Sequence, residues 1–146
     1  MRLQLRTWPE VESYLKDSTG IIIPIGSAEQ HGPTGFIGTD ALCPEIVADG
    51  VAAETGALVA PTLSIGMAQH HLGFAGSITL RPLTLIAVVK DVVDSLTRHG
   101  FERFFFLNGH GGNIATVTAA FAEIYAESSL GKAGANRPPV RCRLRN

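Results

Sequence analysis

Two short apolar runs set the terms for this chain. Ile21-Ile22-Ile23-Pro24-Ile25 and Phe104-Phe105-Phe106-Leu107 show no alternation of polar and apolar residues. A strand wetted on one face alternates, whereas a strand covered on both faces does not, and double covering is the habit of parallel sheets. Each run stops in a glycine-rich polar loop, 26–40 after the first and 108–113 after the second. A loop as long as 26–40 inside a compact domain is usually functional.

The segments between these runs have helical period. Thr7-Trp8-Pro9-Glu10 reads as a capping box that opens a helix reaching about Asp17, with Gly20 breaking the chain before a strand at 21–25. Residues 41–55 predict a second helix, with Leu42, Ile46, Val47 and Val51 near one face, an apolar stripe of the kind that usually turns to a core, and Gly56 as its stop. Leu58-Val59-Ala60 predicts a short strand ended by Pro61, residues 62–75 an irregular stretch, and Ser77-Ile78-Thr79-Leu80 another short strand. The strongest helical pattern lies at 83–98, where Leu85, Val88, Val89, Val92, Val93 and Leu96 recur at spacings of three and four before Gly100. Asn113 can cap a helix running to about Glu127, with Val117, Ala120, Phe121 and Ile124 inward. Val140 to Leu144 could start one more strand. Strands alternating with helices mean βαβ units, so the expected fold class is α/β, a mostly parallel sheet between helical layers. The 146 residues fit a single domain, 1–146.

Composition narrows the function classes. At 45% hydrophobic residues and net charge −1 the chain can bury a core, which argues against disorder. Near neutrality gives no electrostatic case for nucleic acid or an anionic membrane as partner. Arg137, Arg141, Arg143 and Arg145 make the last ten residues basic, which reads as a solvated tail or strand face. Cys43 and Cys142 are too few and too far apart for a disulfide framework, which favours a reducing compartment. Met1 to Arg6 lacks the apolar core of a signal peptide, and no apolar run reaches about 18 residues, so a cytoplasmic location without a membrane span is expected.

The chemistry gathers in the two loops. In Gly26-Ser27-Ala28-Glu29-Gln30-His31-Gly32-Pro33, Glu29 and His31 stand two apart, and in extended backbone such residues project to the same side. Asp40 can fold back to join them, and His110, in Asn108-Gly109-His110-Gly111-Gly112-Asn113, comes from the neighbouring strand end. Ligands of parallel α/β folds bind outside the carboxyl ends of the strands, where both loops begin. Imidazole and carboxylate together suit a divalent metal, Zn²⁺ first, with Mn²⁺ or Fe²⁺ also fitting. Two ions would need a shared carboxylate, for which Asp40 is the natural bridge, and their water would be the nucleophile. His70 and His71 are either a polar loop or part of the site. His99 beside Gly100 is most simply a helix C-terminal residue, and Asp40 could merely cap helix 41–55. A different class of function is a nucleotide or flavin phosphate-binding module using loop 108–113, between a strand and a helix N-terminus. That loop misses G-x-G-x-x-G at Ile114 and has no Gly-Lys-Ser/Thr. No Ser or Cys sits in a nucleophile elbow.

These motifs, with Gly38-Thr39-Asp40 and Gly73-Phe74-Ala75-Gly76-Ser77-Ile78-Thr79-Leu80, resemble the creatininase (creatinine amidohydrolase) family in order and spacing from Trp8 to about Tyr125. The resemblance implies a three-layer αβα domain with a dinuclear metal centre. It implies hydrolysis of a C–N bond in a cyclic amide or related small molecule through a metal-bound water. By position, Glu29 and His110 would bind one ion, His31 the other, and Asp40 would bridge them. His71, just before the family-like 73–80 segment, becomes a candidate for proton transfer. The family also implies a homo-oligomer, often a hexamer. Two departures go with this. Creatininase has a glutamate ligand two residues after the second-motif histidine, where this chain has Gly112. Relatives with glycine there take the carboxylate from a later glutamate, and Glu123 and Glu127 are poor substitutes. The chain therefore reads as the N-terminal part of a family domain, truncated at its C-terminus, and a non-catalytic remnant is a third reading.

Overall fold

A computed structural model describes residues 1–129 and 140–146. Four parallel strands form one sheet in the order β2-β1-β3-β4: β1 is Gly20–Ile25, β2 Leu58–Val59, β3 Arg103–Asn108 and β4 Arg141–Arg145. Helices α1 (Trp8–Asp17), α2 (Thr39–Thr55), α3 (Pro82–Arg98) and α4 (Ile114–Ser129) fall within a residue or two of the bounds expected from periodicity. Glycines in the left-handed region stop α2 at Gly56 (φ 72°) and follow α3 at Gly100 (φ 105°). Glu10 accepts the Thr7 N–H at 2.7 Å as the capping box requires, and that bond pulls its carboxyl down to about 2. Tyr14 Oη donates to the Gly20 carbonyl (2.7 Å) and accepts from Leu58 N–H (3.3 Å), which ties α1 to the starts of β1 and β2.

The connections explain the layers. The chain steps from β1 through α2 to β2 on one side, then returns through α3 to β3 on the other. Right-handed crossovers taken in opposite directions put their helices on opposite faces. α2 therefore covers one face, and α3 and α4 the other. On the α3/α4 face, Ile21, Ile23, Ile25, Phe104 and Phe106 pack with Leu85, Val89, Val93, Val117, Ala120, Phe121 and Ile124. On the α2 face, a smaller cluster joins Ile22 and Val59 to Ala48 and Ala52, with Ala57 and Leu107 at its edge.

Four expectations need correction. Leu42, Ile46, Val47 and Val51 face outward; α2 instead buries Ala41, Pro44, Ala48 and Ala52. A pattern search favours the bulkiest apolar residues, but here small ones let the helix backbone lie close to the sheet. Phe104-Phe105-Phe106-Leu107 is not covered on both faces along its length: Phe104 and Phe106 are buried, while Phe105 is 37% exposed. Ser77-Ile78-Thr79-Leu80 does not form a strand; only Ile78 makes an isolated antiparallel bridge, to Ala28. Asn113 does not cap α4 with its side chain, which turns inward to other partners described below. Arg141, Arg143 and Arg145 lie on β4, with Cys142 and Leu144 turned to the α3/α4 core between them; Arg137 is outside the described residues. No described helix is long and apolar enough to cross a membrane.

Candidate metal centre

Strand order reverses between β1 and β3, so their carboxyl ends part there and leave a crevice, the usual ligand position in such sheets. Loops 26–40 and 108–113 both leave from this point. Their first glycines explain how they reach α2. A Cβ on Gly26 or on Gly109 would stand 2.1 Å from the Asp40 carbonyl oxygen, and one on Gly109 would also meet Pro44 Cδ at 2.7 Å. Pro44 has no N–H, so the Asp40 carbonyl four residues earlier is released from the helix ladder. The backbones of both strand-end loops lie against it, and the first turn of α2 brings the Asp40 side chain between them.

Asp40 meets a different histidine with each carboxylate oxygen: Oδ1 lies 2.9 Å from His31 Nε2, and Oδ2 lies 2.8 Å from His110 Nδ1. The other nitrogen of each ring is held by a backbone carbonyl. His31 Nδ1 donates to Glu29 O at 3.1 Å, and His110 Nε2 donates to Met67 O at 2.7 Å. A carbonyl only accepts, so each neutral ring carries its proton on the outward nitrogen and turns its lone pair to Asp40. A lone pair against a carboxylate is repulsive unless a cation or a proton lies between them. Outward nitrogens tied to carbonyls are also how metal-binding histidines are usually oriented. The pKa of His31 is raised, first by the Glu29 carbonyl, against burial, and then by Asp40.

Glu29 completes the cluster. It is 5% exposed, accepts from Ser27 Oγ at 3.0 Å, and places Oε1 3.3 Å from His110 Nδ1. Ligand atoms of Glu29, His31 and Asp40 lie within 4.8 Å of one another. This nitrogen and oxygen set fits a divalent metal. All four residues expected at the site are thus brought together. Of the histidine pair, His71 faces the cluster, with Nε2 3.5 Å from Glu29 Oε1, while the His70 ring packs on it at 4.0 Å between centroids. His99 closes α3 as its C-cap, and Glu123 and Glu127 pair with Lys90 on α3.

Sequence reasoning missed the support beneath these residues. Asn113 Nδ2 donates to Gly26 O (2.9 Å) and Asn108 Oδ1 (3.1 Å), and its Oδ1 accepts from Met67 N–H (2.9 Å). One amide thus joins the loops after β1 and β3 to the segment that holds His110. Asn108 Nδ2 donates to the His110 carbonyl at 2.7 Å. The signal available was two asparagines flanking the glycines of 108–113, read as caps rather than as struts. The phosphate-cradle reading of this loop is not favoured, because three of its amides are engaged internally: Gly109 N–H bonds Ile25 O, His110 N–H bonds Asn108 Oδ1, and Asn113 N–H bonds His110 O.

Fold and site together define a parallel three-layer α/β protein with an imidazole–carboxylate cluster at its topological switch point. The creatininase family model, described as creatinine amidohydrolase, matches residues 4–144, and the chain belongs to this family. It is 33% identical over 125 residues to the 3-dehydro-scyllo-inosose hydrolase of Thermotoga maritima, covering 84% of this chain and 40% of that protein. It is 36% identical over 113 residues to the creatinine amidohydrolase of Pseudomonas putida, covering 73% and 44%. A manganese creatininase superimposes with a TM-score of 0.87 at 29% identity, over 99% of this chain and 57% of that one. The chain spans about half the length of the curated relatives it matches.

Proposed function

We propose that residues 1–146, taken as one domain, carry the metal centre of a hydrolase that breaks a C–N bond in a cyclic amide or related small molecule. One observation carries the reading: two imidazoles, each with its outer nitrogen held against a backbone carbonyl, set their inner nitrogens on opposite oxygens of one carboxylate. Glu29 and His110 would hold one ion, His31 a second, and Asp40 would bridge them. Zinc suits the donor set best; solved creatininases include a manganese form and a zinc–zinc form, which supports either metal here. Such ions supply acidified water and Lewis-acid polarisation of a carbonyl when bound.

The chain's own residues supply the rest. Asn113 and Asn108 hold the two loops in register. Glu29, buried and bonded to Ser27, keeps a fixed carboxylate at the floor. His71 Nε2 lies at the rim near Glu29, where a proton for the leaving nitrogen is needed. A cleft of about 420 Å³ opens beside Gln30, walled by Pro33, Ile37, Phe74 and Ala75, and has room for a small ring. We further infer a homo-oligomer, a hexamer by family, supported by the apolar outer face of α2. A cytoplasmic location is supported by two free thiols.

Elemental analysis after zinc loading tests the centre. The wild-type chain should retain zinc through gel filtration, and Asp40→Ala should lose it from both positions. Unchanged stoichiometry in Asp40→Ala overturns the bridge, and a wild-type chain that retains no zinc overturns the whole reading.

A further inference from the structure

We infer that Gln30 is a positioning residue that fixes the tautomer of His71 and so keeps this third imidazole a hydrogen-bond donor at the centre instead of a metal ligand. The functional meaning rests on the metal-centre reading; the tautomer itself does not.

The geometry runs in one direction from a backbone group. Gly32 N–H points at Gln30 Oε1, 2.8 Å away. A backbone N–H can only donate, so this end of the Gln30 amide must be its oxygen. The NH₂ end then faces His71 Nδ1 at 3.0 Å. An amide NH₂ also only donates, so Nδ1 must accept and carries the lone pair. The neutral ring therefore bears its proton on Nε2, the nitrogen 3.5 Å from Glu29 Oε1. Gly32 is in the left-handed region at φ 77°, the turn that brings its N–H back to the side chain two residues earlier. His71 sits in a short 3₁₀ turn, Gln69–His71, with the His70 ring against it.

The contrast with the other two rings gives the arrangement its sense. His31 and His110 donate their outer N–H to carbonyls and turn lone pairs inward. His71 accepts a hydrogen bond from an amide on its outer side and turns N–H inward. Three imidazoles around the same carboxylates are thereby divided into two ligands and one donor by the hydrogen-bonding character of what stands behind each. A carboxylate at position 30 would instead call for a proton on Nδ1, since it can only accept.

Nitrogen-15 histidine NMR of the metal-free protein tests this, because long-range proton–nitrogen correlations report which ring nitrogen is protonated. His71→Asn identifies the His71 signals. The wild type should show His71 as the Nε2–H tautomer alone. Gln30→Glu should place a proton on Nδ1, and Gln30→Met, which offers no polar group, should give a mixture. His31 and His110 should keep their patterns in both variants, which checks that the site has folded. Should Gln30→Glu fail to fold, Gln30→Met decides alone. A wild-type His71 protonated on Nδ1, or a single Nε2–H form surviving in Gln30→Met, overturns the inference. Zinc added to the wild type should shift the signals of His31 and His110 and leave His71 in its Nε2–H form; ligation shifts at His71 also overturn it. No zinc shift at any histidine overturns the metal reading instead, leaving the tautomer to the metal-free spectra.

Discussion

On one face of the sheet, Phe104 and Phe106 meet Leu85, Val89 and Val93 of α3 and Val117, Phe121 and Ile124 of α4. On the other, Ile22 and Val59 meet Ala48 and Ala52 of α2. The first face is filled by long side chains that keep helix and sheet backbones apart. The second is thin, and its small residues bring the α2 backbone close enough for Gly26 and Gly109 to touch the Asp40 carbonyl. The thick layer holds most of the buried apolar surface, which is the main source of stability. The thin layer carries the residue that joins both histidines. Most of the stability and the placement of Asp40 are thus lodged on opposite faces, and substitutions should separate them.

The largest effect is expected on the thick face. Phe106 is fully buried and packs at a tilt against Phe121, ring centroids 5.2 Å apart. Phe106→Ala should cost about 3–5 kcal/mol in urea denaturation. In the fraction that remains folded, zinc affinity should be close to wild type, because no ligand leans on this ring. On the thin face, Gly109→Ala should cost less, about 1–3 kcal/mol, as an overpacking change. It pushes against Asp40 and Pro44 directly, so zinc affinity should fall about 10- to 100-fold, the usual scale for residues that position ligands. Calorimetric zinc titration of the two variants breaks the comparison if Phe106→Ala loses affinity and Gly109→Ala retains it.

The same division explains what could be read from residues alone. Large apolar residues at regular spacing announce themselves, so α3, α4 and the two central strands were legible, down to Val117, Ala120, Phe121 and Ile124 as the inner stripe. The cluster Glu29, His31, Asp40 and His110 was legible because metal-capable types stood at two strand ends. α2 was read with the wrong face inward because its packing relies on the absence of bulk, and alanine carries little periodic signal. The support from Asn113 and the Met67 carbonyl was not legible. One side chain looked like a cap, and a backbone oxygen has no residue type to betray it. Gln30 was overlooked for a third reason: its role depends on which end of its amide faces a glycine N–H.

The smallest effect on the monomer concerns the outer face of α2, and it sharpens the comparison most. Leu42, Ile46, Val47 and Val51 are 49%, 68%, 54% and 42% exposed. If α2 lies as described, Ile46 contributes little to the fold of a single chain, and Ile46→Lys should shift its denaturation free energy by no more than about 0.5 kcal/mol at low concentration. Lysine is a good helix former, so helix propensity adds no penalty. The substitution should nonetheless change behaviour at high concentration. Four apolar side chains on consecutive turns form a stripe that a second copy of the chain can cover, and a charge in its middle would be stranded by that contact. Light scattering across a concentration series should show self-association in the wild type and a shift towards monomer in Ile46→Lys. A large loss of monomer stability would mean that Ile46 is buried in the fold after all and that the thin face is wrongly described. Unchanged stability together with unchanged association would keep the description of α2 and remove its outer face from the oligomer contact.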